Sequence, residues 1–171
     1  MVRERPYNVL FLCTHNSARS LLAEAILNDP AVSRGRFRGY SAGSHPSGQP
    51  NPLALEQIRS AGLPVGEIRS KSRDEFTLPD APEMDFVFTV CDNAANEVCP
   101  VWPGRPMTAH WGVADPSNAE GDDNSRRRAF AETFRILANR IRLFASLPLA
   151  TLDRLSLQQK LHDIGGAGHS A

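Results

Sequence analysis

Apolar runs alternate with helical patterns along the first 146 residues of the chain. The run at 7–13, YNVLFLC, is almost continuously apolar and contains β-branched and aromatic residues, which is typical of a strand buried on both faces of a parallel sheet. The stretch at 18–28, ARSLLAEAILN, consists of helix formers with apolar residues at helical spacing, and Pro30 closes it. The polar segment THNS between them predicts a tight connection from strand to helix.

The same alternation continues along the chain. Further strands are predicted at 37–42, 84–91 and 107–111, and further helices at 52–60, 92–98 and 125–146. Because strands that alternate with helices form parallel sheets covered on both faces, we predict a three-layer α/β fold with four parallel strands and helices on both faces. The predicted strand order is 2-1-3-4. It places the carboxyl end of the first strand at a topological switch point, where open sheets bind ligands.

The chain length of 171 residues predicts one such domain, at 1–147, with a C-terminal segment at 148–171. This segment contains a short helical pattern at 152–164, LDRLSLQQKLHDI, and then a tail that we expect to be flexible.

Composition narrows the classes of partner. The 19 basic and 19 acidic side chains balance, so nothing favours nucleic acid or an anionic membrane as a partner. No apolar stretch is long enough for a signal peptide or a membrane span, and we therefore expect a cytoplasmic protein. The three cysteines cannot all pair within one chain, so in a reducing compartment they are either buried hydrophobes or chemical groups.

Cys13 is the first candidate for chemistry. It ends the first predicted strand, and Arg19 and Ser20 follow at the start of the helix. A loop of this length can turn its backbone N–H groups inward as an anion nest, to which the helix N-terminus and the Arg19 guanidinium add positive charge. A cysteine that faces such a site should have a lowered pKa and act as a nucleophile. The alternative is a small core residue, which is common at the end of a buried strand.

The segment 9–27, VLFLCTHNSARSLLAEAIL, resembles the phosphate-binding loop of low-molecular-weight tyrosine phosphatases and of the thiol-dependent arsenate reductases that share their fold. The resemblance covers about residues 7–146. It implies that Asn16 maintains the shape of the loop and that the Ser20 hydroxyl hydrogen-bonds the Cys13 thiolate. His15 replaces the glycine of many relatives, so either the backbone differs or His15 adopts an unusual conformation. The implied oxyanion-binding loop consists of Thr14, His15, Asn16, Ser17, Ala18, Arg19 and Ser20.

A second motif, HWGVADPSN, places Asp115 before Pro116 in a loop after the fourth predicted strand. On its own, an Asp-Pro pair is a turn signal. In both branches of the family an Asp-Pro pair at this place supplies the general acid that protonates the leaving oxygen. Phosphatases of this fold usually carry aromatic residues directly after the pair, whereas Ser117 and Asn118 follow here. The string VCDNAANEVCPVWPG, taken together with HWGVADP, therefore resembles the arsenate reductase branch.

Cys91 and Cys99 separate the two branches on chemical grounds. A phosphatase needs one thiolate, whereas arsenate reduction needs two electrons, which two thiols supply by forming a disulfide. The alternative is that both are buried core cysteines. If residues 92–98 are helical, the two sulfurs lie about 11–12 Å apart, beyond the reach of a disulfide. We therefore expect this segment to rearrange on oxidation.

The resemblance implies the reduction of arsenate to arsenite for arsenic detoxification, with Cys13 as nucleophile, Asp115 as acid, and Cys91 and Cys99 in a disulfide cascade. Arsenate would be the substrate and phosphate or sulfate competing oxyanions. Thioredoxin, or glutathione with glutaredoxin, would be the external thiol reductant, and no tightly bound cofactor is expected. The alternatives are a tyrosine or small-ester phosphatase and a non-catalytic oxyanion-binding regulatory module.

A cation site is a further implication of the resemblance. Some relatives bind potassium beside the loop, and the positions that match its ligands are Asn16, Glu24, Ser41 and Asp74.

Overall fold

A computed structural model of the protein describes residues 5–97 and 102–166. Its centre is one parallel sheet, in the order β2-β1-β3-β4. The predicted four-stranded α/β fold and its strand order are confirmed. The strands are β1 (Tyr7–Cys13), β2 (Phe37–Gly43), β3 (Phe86–Thr89) and β4 (Met107–His110).

β3 is shorter than the eight residues predicted at 84–91. Met84, Val90 and Cys91 flank it and are almost completely buried, yet they lie outside the paired ladder. Their apolar character thus reflects burial rather than strand pairing. An apolar run marks what is buried, and the ends of hydrogen-bonded pairing cannot be predicted from it.

Six α-helices occur in the described part of the chain, together with 3-10 turns at Arg73–Phe76 and Pro116–Asn118. The helices are α1 (Arg19–Leu27), α2 (Pro30–Ser33), α3 (Pro52–Ser60), α4 (Asp92–Asn96), α5 (Asp123–Ala145) and α6 (Arg154–Gly165). None of the helices in the described ranges is long and apolar enough to cross a membrane.

Several helix boundaries differ from the predictions by one or two residues, as at α5, which begins at Asp123 rather than at 125, and two of the differences have a physical reason. Pro30 does not close α1, which ends at Leu27; instead it begins α2, where the missing N–H of proline costs nothing and Asp29 caps Ala31 N at 3.0 Å. The helix predicted at 92–98 ends at Asn96, because Glu97 is extended. Val98 lies outside the described residues.

The sheet has a core on each face. On one face Phe88 of β3 stacks on Trp111 with ring centroids 3.9 Å apart, and Phe144 of α5 meets both rings edge-on. Leu161 of α6 belongs to the same core, and its carbonyl accepts a hydrogen bond from Trp111 Nε1 at 2.9 Å. The core on the other face consists of Leu10, Leu12, Ala42, Phe76, Met84, Val87 and Trp102.

Candidate active site

The loop between β1 and α1 carries the predicted oxyanion-binding residues. Asn16 adopts a left-handed φ of 47°, a conformation that asparagine tolerates better than most side chains, whereas His15 does not. Asn16 Nδ2 donates to Ser20 Oγ at 2.8 Å, and Asn16 Oδ1 accepts from Lys71 N at 2.8 Å. These two bonds tie the loop to α1 and to a neighbouring segment, in agreement with the shape-maintaining role implied for Asn16.

Gly43 at the end of β2 lets the loop lie directly against the sheet. A Cβ at this position would come within 2.5 Å of Thr14 O and 2.8 Å of Cys13 O, which real contacts do not allow. The loop therefore depends on a residue without a side chain in the neighbouring strand.

Ser20 is fully buried, and its hydroxyl accepts the bond from Asn16. Across the described ranges we find no hydrogen bond between Ser20 and the Cys13 sulfur, so its contact with the thiolate stays a prediction.

Arg19 links the loop to the segment that carries Asp115. Its Nη1 donates to Val113 O at 3.0 Å, and its Nη2 lies 3.5 Å from Asp115 Oδ2. Arg19 Nε is buried and, within the described part of the chain, has no hydrogen-bond partner. A buried N–H donor without a partner is costly, and an oxyanion held in the loop is a natural acceptor for it.

Asp115 is held by the short turn that follows it. Its Oδ1 accepts from Ser117 N at 3.0 Å and from Ser117 Oγ at 2.7 Å. These bonds orient the carboxyl so that Oδ2 faces Arg19. The predicted partners Cys13, Arg19 and Asp115 thus meet at the carboxyl edge of the sheet.

Cys91 lies beside Cys13, because β1 and β3 are neighbours, Cys13 is the last residue of β1, and Cys91 follows the carboxyl end of β3 by two residues. Thr14 N donates to Cys91 Sγ at 3.4 Å, and the two thiols are close enough to hydrogen-bond each other. Both cysteines are free and buried. Cys99, the third predicted thiol, lies outside the described residues.

The two sulfurs titrate as a coupled pair. The hydrogen bond to Cys91 and burial raise the pKa of Cys13, although Arg19 and the Thr14 N–H oppose this. The same hydrogen bond from Cys13, together with N–H groups of Ala94 and Thr14, lowers the pKa of Cys91 to about 5. One charge is therefore shared between two sulfurs. The expectation of a lowered pKa for Cys13 treated it as the one sulfur in the site, whereas the hydrogen bond to Cys91 and burial raise the pKa of Cys13 here.

Two positioning residues were missed in the sequence. His110 bridges β3 and α4, with Nδ1 2.8 Å from Thr89 Oγ1 and Nε2 2.8 Å from Asp92 Oδ1. Arg140 of α5 is completely buried and donates from Nη1 to Trp111 O at 2.7 Å and to Gly112 O at 3.1 Å. It thereby fixes the start of the segment that leads to Asp115. The sequence signal that could have revealed Arg140 is the position of an arginine within the apolar stripe of an amphipathic helix, where it must be buried.

The residues predicted as potassium ligands do not converge on one open site in this structure. Asp74 is exposed in the 3-10 turn Arg73–Phe76. Glu24 and Ser41 instead surround the ammonium of Lys71, and Asn16 Oδ1 is engaged by the Lys71 N–H. The Glu24 and Ser41 oxygens that would bind a metal ion instead contact the Lys71 ammonium.

These features define a class of protein. The chain belongs to the low molecular weight phosphotyrosine protein phosphatase family, whose sequence model matches residues 8–158. Within that family it is similar to arsenate reductases. The arsenate reductase of Halalkalibacterium halodurans is 36% identical over 141 residues, which cover 80% of this chain and 94% of the relative.

Two solved structures are similar to this fold. One is a thioredoxin-dependent arsenate reductase of Corynebacterium glutamicum, with 27% identity and a TM-score of 0.60; the match covers 87% of this chain and 65% of that one. The other is an arsenate reductase of Archaeoglobus fulgidus, with 27% identity and a TM-score of 0.57 over 78% of this chain and 98% of that one.

Proposed function

We propose that this protein reduces arsenate to arsenite, with electrons supplied by its own thiols. The observation that carries the proposal is the position of Cys91, whose sulfur adjoins Cys13 within the same site as Arg19 and Asp115. A phosphatase has no use for a second thiol at this place. The similarity to arsenate reductases supports the same conclusion.

In the first step, arsenate binds in the loop against Arg19 and the backbone N–H groups. The Cys13 proton passes to Cys91 across their hydrogen bond, and the resulting Cys13 thiolate attacks arsenic. A protonated Asp115 donates its proton to the departing oxygen, which leaves as water. A covalent S–As bond between Cys13 and As(V) results.

In the second step, Cys91 passes the proton that it took from Cys13 to an oxygen of the arsenic group, and the resulting Cys91 thiolate attacks the Cys13 sulfur. A Cys13–Cys91 disulfide forms, the S–As bond breaks, and its electron pair reduces As(V) to As(III), which leaves as arsenite. Cys99 then attacks Cys91 and releases the Cys13 thiolate, which leaves a Cys91–Cys99 disulfide. An external dithiol reduces this disulfide and restores the enzyme.

We further propose thioredoxin as the reductant, with glutathione and glutaredoxin as the alternative, and the cytoplasm as the compartment. The similarity to the thioredoxin-dependent arsenate reductase of Corynebacterium glutamicum supports thioredoxin. Phosphate and sulfate share the tetrahedral shape and charge of arsenate, so they should compete for the loop.

The test is a single-turnover assay in which arsenite is measured with thioredoxin or glutathione supplied separately. Cys13→Ser should abolish arsenite formation, because a serine hydroxyl is not ionised at neutral pH. Arg19→Lys should bind arsenate at least about tenfold more weakly, since lysine keeps the charge but loses the planar fork. More than a few per cent of turnover in Cys13→Ser, or normal arsenate binding in Arg19→Lys, contradicts the proposal.

A matched pair of variants separates reduction from hydrolysis. Cys91→Ser and Cys99→Ser should each stop thioredoxin-coupled turnover but preserve any hydrolysis of an activated aryl phosphate, which needs only Cys13, Arg19 and Asp115. Normal arsenate reduction in both variants would contradict the three-thiol scheme and favour an enzyme in which glutathione supplies the second thiol.

A further inference from the structure

A second buried cluster lies behind the oxyanion loop, away from the two sulfurs. The Lys71 ammonium donates to Arg69 O at 2.9 Å and to Ser41 Oγ at 3.3 Å, and it lies 3.5 Å from Glu24 Oε1. Ser41 Oγ in turn donates to Glu24 Oε1 at 2.7 Å. An ammonium has three protons, and each has an acceptor here.

The same lysine is bonded to the loop through its backbone. Lys71 N donates to Asn16 Oδ1, and Lys71 O accepts from Gly43 N at 2.9 Å. Asn16 is the left-handed residue of the loop and Gly43 is the residue against which the loop packs. A displacement of Lys71 would therefore be transmitted to the two positions that set the shape of the loop.

Lys71 and Glu24 form a buried ion pair in which each charge depends on the other. The Lys71 and Glu24 side chains are 7% and 11% exposed. Burial raises the pKa of Glu24 and lowers that of Lys71, while each charge opposes the shift of the other. Removal of one partner leaves a buried charge without compensation, which is far more damaging than removal of both.

We propose that the Lys71 ammonium takes the structural part that a potassium ion would play behind the oxyanion loop, so that loop geometry and oxyanion binding are independent of potassium. Ammonium and potassium carry the same charge and are similar in size, so Glu24 and Ser41 serve either one. The inference rests on the proposed function only in that the loop binds an oxyanion, and it is tested with inorganic phosphate rather than by arsenate turnover.

The choice of lysine fits this role. The chain has only two lysines, Lys71 and Lys160, among its 19 basic residues. An ammonium is a compact point charge that three oxygens can surround, whereas a guanidinium is a planar fork. The pair also adjoins a surface cleft of about 330 Å³, lined in part by Glu24, Arg69 and Lys71, through which an ion could enter once the lysine is shortened.

The experiment compares thermal unfolding and phosphate affinity in potassium chloride and in choline chloride at equal ionic strength. Wild type and the exposed control Lys160→Ala should give the same Tm and the same phosphate Kd in both salts. Lys71→Ala should lose about 5–10 °C in choline chloride, as expected for a buried ion pair stripped of one partner, and bind phosphate about tenfold more weakly.

Potassium should restore much of both losses in Lys71→Ala, because Glu24 and Ser41 then face an open space. In the double variant Glu24→Gln/Lys71→Ala, which has no carboxylate to hold the ion, potassium should have no effect. The proposal is overturned if wild type itself gains Tm or phosphate affinity in potassium, or if Lys71→Ala in choline chloride behaves as wild type.

If Lys71→Ala does not fold in either salt, the double variant Glu24→Gln/Lys71→Met provides the test of the proposal. It fills the space and removes both charges, so it should fold and ignore potassium; failure to fold, or a response to potassium, overturns the proposal. Failure of arsenate reduction alone would leave these results unchanged and would count against the proposed function only.

Discussion

At the scale of single residues, the site is governed by the contact between two sulfurs. Cys13 donates a hydrogen bond to Cys91, and this bond is the leading cause of both pKa shifts. Before an oxyanion binds, the two sulfurs therefore share one negative charge. The hydrogen bond between them is the path along which a proton can move from one sulfur to the other.

Cys91→Ser should lower the pKa of Cys13, because the variant removes the hydrogen bond and the neighbouring negative charge that raise it, while Arg19 remains. The measurement is a pH series of iodoacetamide alkylation, with each cysteine quantified by peptide mass spectrometry. Wild type should be alkylated at Cys91 with a midpoint near pH 5. An unchanged midpoint for Cys13 in the variant would show that the two thiols do not share a charge.

At the scale of secondary-structure elements, α5 supports the segment that leads from Trp111 to Asp115. Arg140 reaches from this helix to the carbonyls of Trp111 and Gly112, three to four residues before Asp115. The bond from Arg19 to Val113 O holds the same segment from the other side. The position of Asp115 thus depends on two cations from two helices.

Arg140→Met should destabilise the protein by about 2–4 kcal/mol, because two buried carbonyls lose a charged donor. It should also lower kcat for arsenate more than it raises KM, since Asp115 loses its support while Arg19 still binds the oxyanion. Urea unfolding and steady-state kinetics test this, with the exposed Arg142→Met on the same helix as the control. Equal stability of the two variants would contradict it.

α4 is the element that redox chemistry should disturb. It has only five residues and is tied to β4 by the His110–Asp92 bond, while the residue after it, Glu97, accepts a hydrogen bond of 2.8 Å from Thr14 Oγ1. A helix this short is marginal without tertiary contacts. Glu97 is already extended, so less unwinding is needed than a helix over 92–98 would require.

Oxidation to the Cys91–Cys99 disulfide should therefore remove amide protection at 92–97 and leave β1 protected. Hydrogen exchange on the reduced and oxidised protein, with the disulfide verified by mass spectrometry, provides the test. Cys99→Ser under the same oxidant is the matched control. If protection at 92–97 is the same in both states, the two cysteines are already close in the reduced protein and no switch operates.

The elements that could be predicted from sequence are those with a periodic apolar pattern. β1 and α3 were predicted with the bounds that the structure shows, because YNVLFLC and the capped segment after Asn51 carry unambiguous signals. α2 was missed, since four residues contain no period to detect. The Lys71–Glu24 pair and Arg140 were missed for another reason: a buried charge becomes visible only when its partners, distant in sequence, are brought together.

At the scale of the whole molecule, the thiol pair should shape the dependence of stability on pH. The folded pair holds one proton from about pH 5 upward, whereas the unfolded pair holds two below about 8.5 and none well above it. Between about pH 5 and 8.5 the unfolded state binds more protons than the folded state, so the free energy of unfolding rises with pH. Above about pH 8.5 the folded state binds more protons than the unfolded state, so the free energy of unfolding falls with pH.

The difference in unfolding free energy between wild type and Cys13→Ser/Cys91→Ser isolates this contribution from all other groups. We expect the difference to grow between pH 5.5 and 8.5 and to shrink by pH 10, in urea titrations under reducing conditions. A difference that does not vary with pH would mean that neither thiol has a shifted pKa in the folded state.

The parallel register of β1 and β3 has a consequence for how such proteins diversify. Leu12 pairs with Thr89, so the backbone places position 91 beside Cys13 whatever side chain it carries. The backbone thus creates a position for a second reactive side chain, independently of which residue occupies it. A protein engineer who wished to turn an ester-cleaving relative into an electron-transfer catalyst could keep the sheet, the loop and the acid, and begin with one codon at this position.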